Sequence, residues 1–270
     1  MMKIKLLAFL LLTGISANAA TYKVDSGISY SMNHDAYSSQ RCRLDIYHPT
    51  DTADLPVIVW FHGGGLTGGK RYIPEELKES GYVIVSPGYR LLPNVEISKC
   101  IDDAAAAVAW TFRNITRYGG DPSKIFVAGH SAGGYLTSMI GLQKTWLENY
   151  DIEADSIKGL IPYSGQAITH FALRKSKGIS ELQPIVDEFA PMFHIRKDAP
   201  PYIIITGDRN NELYGRYEEN AYLWRLLKLI GHPDVRIYEI EGHDHGEMVT
   251  PAHHILKDNI DRILNKTQQR

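Results

Sequence analysis

Six short and nearly unbroken apolar runs recur along the chain: Val57-Ile58-Val59-Trp60-Phe61, Val83-Ile84-Val85, Ile125-Phe126-Val127-Ala128, Gly159-Leu160-Ile161-Pro162-Tyr163, Tyr202-Ile203-Ile204-Ile205 and Val235-Arg236-Ile237-Tyr238. A strand with one wet face alternates apolar and polar residues, whereas a continuous run suits a strand covered on both faces. Between the runs lie helix-length segments: Ile101 to Arg117, Ala132 to Leu147, Arg216 to Ile230 and Pro251 to Leu264. This alternation predicts an α/β fold with a doubly wound, mostly parallel sheet of about eight strands. Tyr22 to Met32 and Cys42 to Tyr47 do alternate, which predicts an antiparallel hairpin at the N-terminal edge of that sheet. With 270 residues, 44% of them apolar, the chain has material for one large domain, expected over 21–270. The stretch Ser164 to Ala199 falls outside the rhythm and is expected to form a small insertion over the strand ends.

Residues 1–20 read as a cleaved export signal. Lys3 and Lys5 form a basic start, Leu6 to Leu12 a short apolar stretch, and Ala17-Asn18-Ala19 a small-residue cleavage site. The apolar stretch is shorter than the roughly 20 residues of a membrane span. The expectation is therefore a secreted or periplasmic protein with no stable membrane insertion after cleavage. A formal net charge of −2 without long charged blocks argues against a nucleic-acid partner. Cys42 and Cys100 are the only cysteines; in an oxidising compartment they could pair, or stand as two buried thiols, and spacing does not decide.

In an open α/β sheet the ligand crevice lies at the carboxyl ends of the strands, so the residues after each run carry the chemistry. After Ile125 to Ala128 comes Gly129-His130-Ser131-Ala132-Gly133, where glycines flank a serine as a sharp strand-to-helix turn requires. Ser131 is the candidate nucleophile and the Ala132 amide one oxyanion donor; a serine N-cap explains the serine alone but not the surrounding glycines. After Val57 to Phe61 comes His62-Gly63-Gly64-Gly65, whose backbone can approach a substrate carbonyl closely. Gly64 and Gly65 are assigned as the other donors, with Gly63 the near alternative and His62 a residue that orients the loop. In this kind of fold the acid and then the histidine follow the serine. Asp208, just past Tyr202 to Gly207, is the expected acid, with Glu212 as second choice because Asp208-Arg209-Asn210-Asn211 has turn chemistry. Glu241-Gly242-His243-Asp244-His245-Gly246 supplies the base; His243 and His245 face opposite ways in an extended loop, and His245 is chosen. These histidines lack further ligands at metal spacing, so neither a metal nor a cofactor is called for.

The chain resembles the α/β-hydrolases, and most closely the small carboxylesterases of the bifunctional xylan acetyl/feruloyl esterase and hormone-sensitive-lipase-like group. The resemblance rests on Trp60 to Gly65, Gly88-Tyr89-Arg90-Leu91-Leu92-Pro93, Tyr118-Gly119-Gly120-Asp121-Pro122 and Gly129 to Gly134. It implies a secreted serine esterase working through an acyl-enzyme, with Asp208 as acid and His245 as base. It also implies a small-molecule or oligosaccharide ester as substrate, an acetyl or feruloyl ester of plant polysaccharide among them. His130, where many hormone-sensitive-lipase-like members carry aspartate, shifts the resemblance toward the acetyl/feruloyl branch. Two other readings stand beside it: a serine peptidase of the prolyl-oligopeptidase kind, and a hydrolase-like domain that binds without catalysis. The segment Tyr214 to Asn220 is read as helix capping and surface ion pairs. Oligomeric state is not legible in the sequence.

Overall fold

A computed structural model describes residues 20–31 and 35–268. Most of the expected export signal, and Met32 at the end of the first strand-like run, lie outside the described residues. Eight strands, β1 (Tyr22–Ser29), β2 (Arg43–Pro49), β3 (Leu55–Phe61), β4 (Val83–Pro87), β5 (Gly120–His130), β6 (Gly159–Tyr163), β7 (Tyr202–Gly207) and β8 (Val235–Ile240), form one sheet in the order β1-β2-β4-β3-β5-β6-β7-β8. β1 pairs antiparallel with β2 and β2 with β4; every other pairing is parallel. The helices are α1 (Ala36–Arg41), α2 (Ile97–Asn114), α3 (Ala132–Leu142), α4 (Thr145–Glu148), α5 (Phe171–Ser176), α6 (Arg216–Leu229) and α7 (Val249–Gln268).

The unbroken runs have a direct cause in the two cores. Val57, Val59 and Phe61 of β3 face one cluster, with Ile101, Ala104 and Val108 of α2 and Leu136 and Met139 of α3. Their neighbours Ile58 and Trp60 face the other, with Ala252, Leu256 and Ile260 of α7. Side chains alternate across the sheet as in any strand, but both faces are covered by helix, so every position is apolar. Tyr202 and Ile204 against Ile203 and Ile205 repeat the division in β7.

Three connections show features the apolar pattern did not specify. The N-terminal hairpin is interrupted by α1, whose N-cap Asp35 accepts from Ser38 N. Between β3 and β4 there is only a 3-10 turn at Glu75–Leu77. The helix expected to run from Ala132 to Leu147 stops at Leu142, where Gln143 turns extended before α4 begins. Cys42 and Cys100 are both free and buried, and burial pushes each thiol up to about 12.

Candidate active site

Ser131 stands between the end of β5 and the first residue of α3, at φ 56° and ψ −114°. Positive φ is costly for a residue with a Cβ, and here packing imposes it. Ser131 N donates to Tyr163 O at 2.8 Å, and Tyr135 N donates back to Ser131 O at 2.9 Å. A Cβ on Gly133 would lie 2.1 Å from Phe61 O, and one on Gly129 would lie 2.7 Å from Gly133 C. The glycines thus let the first turn of α3 close against β3, which aims the serine outward at the carboxyl end of the sheet.

The loop after β3 lies against that turn: a Cβ on Gly63 would come within 3.4 Å of Ser131 Cβ. Gly64 and Gly65 have φ of 114° and 63°, and Gly64 O accepts from Thr67 N and Gly68 N at 3.1 and 2.9 Å. The amides of Gly64, Gly65 and Ala132 meet no hydrogen-bond acceptor among the described residues. That is the condition an oxyanion donor must satisfy. His62 is buried, stacked on Tyr89 at 4.3 Å between ring centres, with Nδ1 2.7 Å from Gly63 O. Burial takes its pKa down to about 4, and it orients the loop as a neutral ring.

The carboxylate that meets the histidine is Glu212, which corrects the expectation of Asp208. Glu212 Oε1 lies 2.5 Å from His245 Nδ1, and the glutamate side chain is 1% exposed. Because a carboxylate can only accept, Nδ1 carries the proton and Nε2 is left as the basic nitrogen. Three further groups donate to Glu212: Leu213 N at 2.8 Å, Ser164 Oγ at 2.5 Å and Gly207 N at 3.2 Å. Burial alone would raise its pKa, but the hydrogen bonds and the neighbouring imidazole prevail and hold it at about 2.

Asp208 is occupied elsewhere. Its Oδ1 accepts from Asn210 N and its Oδ2 from Gly242 N, both at 2.8 Å, while Asp208 N donates to His243 O at 2.8 Å. The first and largest of the influences on its lowered pKa is the Gly242 hydrogen bond. The aspartate therefore closes a turn and straps the loop after β8 to the end of β7. The same turn, with Glu212 N donating to Asp208 O at 2.8 Å, brings Glu212 round beneath His245. His243 points away, its Nδ1 2.9 Å from Glu241 O.

Two residues at this site have roles that the sequence did not indicate. His130 is pushed down to about 4, chiefly by burial, and its Nε2 donates to His245 O at 2.7 Å, which ties the His245 loop to the residue beside Ser131. Ser164, at φ 42° directly after β6, holds the far oxygen of Glu212, and Arg216 Nη1 donates to its carbonyl. Position at the end of a strand, as for His130, or just past it, as for Ser164, was the available signal. Among the described residues Ser131 Oγ makes no hydrogen bond, as is common before a substrate tightens a catalytic array.

A sequence model of the BD-FAE family matches residues 44–215, well over half of the chain, from β2 to the acid turn. The chain belongs to the BD-FAE family. It is 26% identical over 228 residues to esterase LipC of Mycobacterium tuberculosis, covering 75% of this chain and 56% of that one. It is 35% identical over 175 residues to secreted lipase 5 of Gibberella zeae, covering 53% and 31%. The chain thus spans about a third to just over half of the length of these curated relatives. Among solved structures, this BD-FAE member is similar to esterase B from Lactobacillus rhamnosis, with TM-score 0.72, 20% identity and coverage of 92% and 88%. A truncated carbohydrate esterase from gut microbiota gives TM-score 0.71, 16% identity and coverage of 94% and 99%. The fold is that of the α/β-hydrolases.

Proposed function

We propose that this chain is an exported serine hydrolase of carboxylic esters, with Ser131 as nucleophile, His245 as general base and Glu212 as the acid that orients it. The observation that carries the reading is the Glu212-His245 pair, a buried carboxylate fixing the tautomer of a histidine whose loop is tied to the residue beside a strained serine. Ser131 Oγ attacks the ester carbonyl carbon while His245 Nε2 takes its proton, and Glu212 stabilises the imidazolium. The oxyanion forms against the amides of Gly64, Gly65 and Ala132. Collapse breaks the bond to the alcohol oxygen, which receives the proton from His245. Water then repeats the sequence on the acyl-serine, releasing the acid and restoring the hydroxyl.

The substrate class is a small-molecule or oligosaccharide ester, with acetyl or feruloyl groups on plant polysaccharide as the natural candidates. The resemblance of the glycine motifs to that branch, and the likeness in fold to a carbohydrate esterase, support this choice. Export follows from the reading of residues 1–20, and mass spectrometry of protein from the extracytoplasmic fraction should find a new N-terminus at residue 20 or 21. The activity is tested with p-nitrophenyl acetate. Ser131→Ala should lose roughly 10³-fold or more in kcat; an unchanged rate would remove the serine mechanism.

A further inference from the structure

The surface ion pairs expected over Tyr214 to Asn220 give way to a buried one: Arg216 Nε lies 2.8 Å from Glu219 Oε1, with the two side chains only 4% and 7% exposed. Three side chains of this stretch reach across to the chain that leaves β6. Arg216 Nη1 donates to Ser164 O, Asn220 Nδ2 donates to Gly165 O at 2.8 Å, and Glu219 Oε2 accepts from Ile168 N at 3.4 Å. Asn220 Nδ2 also donates to Arg216 O at 2.8 Å, which ties the arginine into the same turn of α6.

The grip falls on a residue that needs it. Ser164 is fully buried at φ 42°, a conformation that is costly for a residue with a Cβ and persists only where the surroundings fix it. A different element holds each of its polar groups. Ser164 N donates to Ile205 O of β7 at 2.8 Å, Ser164 O accepts from Arg216 of α6, and Ser164 Oγ donates to Glu212 Oε2 at 2.5 Å. Glu212 Oε1 in turn lies 2.5 Å from His245 Nδ1. A continuous path of polar contacts therefore runs from Glu219 through Arg216, Ser164 and Glu212 to His245. The ion pair at its far end is a poor source of stability in itself. Burial pushes the Glu219 carboxyl up to about 7 although Arg216 beside it pulls the other way, so their attraction does not offset the loss of hydration. What the pair fixes is the direction of a planar guanidinium, which meets Glu219 with one nitrogen and Ser164 O with another.

We infer that Arg216 is a positioning residue for the reaction: aimed by Glu219, it sets the backbone of Ser164 so that the serine hydroxyl keeps Glu212 turned toward His245. The inference rests on the esterase reading above and adds to it a support that touches neither the substrate nor the reacting atoms.

The test removes both charges together, because a buried charge left alone would destabilise the fold and confound the result. Arg216→Gln combined with Glu219→Gln is expected to lower kcat for p-nitrophenyl acetate about tenfold, with KM within about twofold of the parent. Ser164→Ala should do the same. Because the arginine acts through the serine, all three substitutions together should cost less than about twofold beyond the larger of the two losses. An unchanged kcat, or losses that multiply in the combined protein, would overturn the inference. Arg216→Lys covers the case in which the paired variant does not fold: its single ammonium keeps a charge beside Glu219 but does not span to Ser164 O, so kcat should again fall at steady KM, and a parental kcat would count against the arginine. A readout that needs no turnover is the far-downfield proton signal of the His245-Glu212 hydrogen bond, assigned by its loss in His245→Ala. It should move when Arg216 and Glu219 are both replaced; a signal that stays in place would overturn the inference. A parent protein that gives the signal and cleaves no ester would strike the esterase reading, and the role of Arg216 would then stand or fall on whether the signal moves.

Discussion

Four donors converge on the Glu212 carboxylate, so its protonation is coupled to the integrity of the whole acid turn. Its folded pKa of about 2 lies below the ordinary value of 4.5, so the stability it contributes is present above pH 4.5 and is lost as pH falls toward 2. The buried histidines act earlier. His62, His130 and His253 are each taken from 6.5 to about 4, burial being the main cause. The unfolded chain takes up protons below pH 6.5 that these rings refuse, so stability is full above 6.5 and falls as pH drops through 4, by at most ~3 kcal/mol per ring. Urea unfolding of His130→Asn should therefore show a flatter dependence between pH 6.5 and 4 than the parent; an identical slope would mean that His130 is not held neutral. At this scale the strained turn at Ser131 was legible because glycines flank a serine directly after an apolar run. Glu212 was less so. Strand position favours Asp208, and only the turn, which consumes the aspartate in backbone hydrogen bonds, delivers the residue four places later.

Elements meet at the site through bare backbone. A Cβ on Gly165 would stand 2.5 Å from Gly134 C and 2.8 Å from Tyr135 N, so the chain leaving β6 packs directly on the first turn of α3. Gly165→Ala should lower stability by about 3 kcal/mol or more, because neither backbone can give way without moving Ser131 or Ser164. Gly178, at φ 70° with open space for 4 Å around the place a Cβ would take, is the control: its alanine variant meets only backbone strain, about 1 kcal/mol. Thermal unfolding of the two variants checks the difference, and equal losses would show that close approach at Gly165 is not what matters. Strands β3 to β8 were legible in the sequence because both faces of the sheet are covered there, leaving short unbroken apolar runs, and β1 and β2 were legible by their alternation. The linking elements were less so, since α1 depends on the Asp35 cap, and the 3-10 turn at Glu75–Leu77 and the break at Gln143 on local backbone hydrogen bonds, rather than on periodicity.

For the whole molecule, the parallel order of β3, β5, β6, β7 and β8 gathers five strand ends on one rim. Each contributes one part of the site: the glycine loop after Phe61, Ser131, Ser164, the Asp208-Glu212 turn and His245. The proposed mechanism depends most on the division of labour in that turn, with Glu212 as the acid and Asp208 as the strap. Steady-state hydrolysis of p-nitrophenyl acetate by Glu212→Gln and Asp208→Asn tests it directly. The expected result is a fall in kcat of roughly 10³ to 10⁴-fold for Glu212→Gln, because the acid that fixes the histidine tautomer is lost, and of less than about tenfold for Asp208→Asn. The reverse ranking would contradict it.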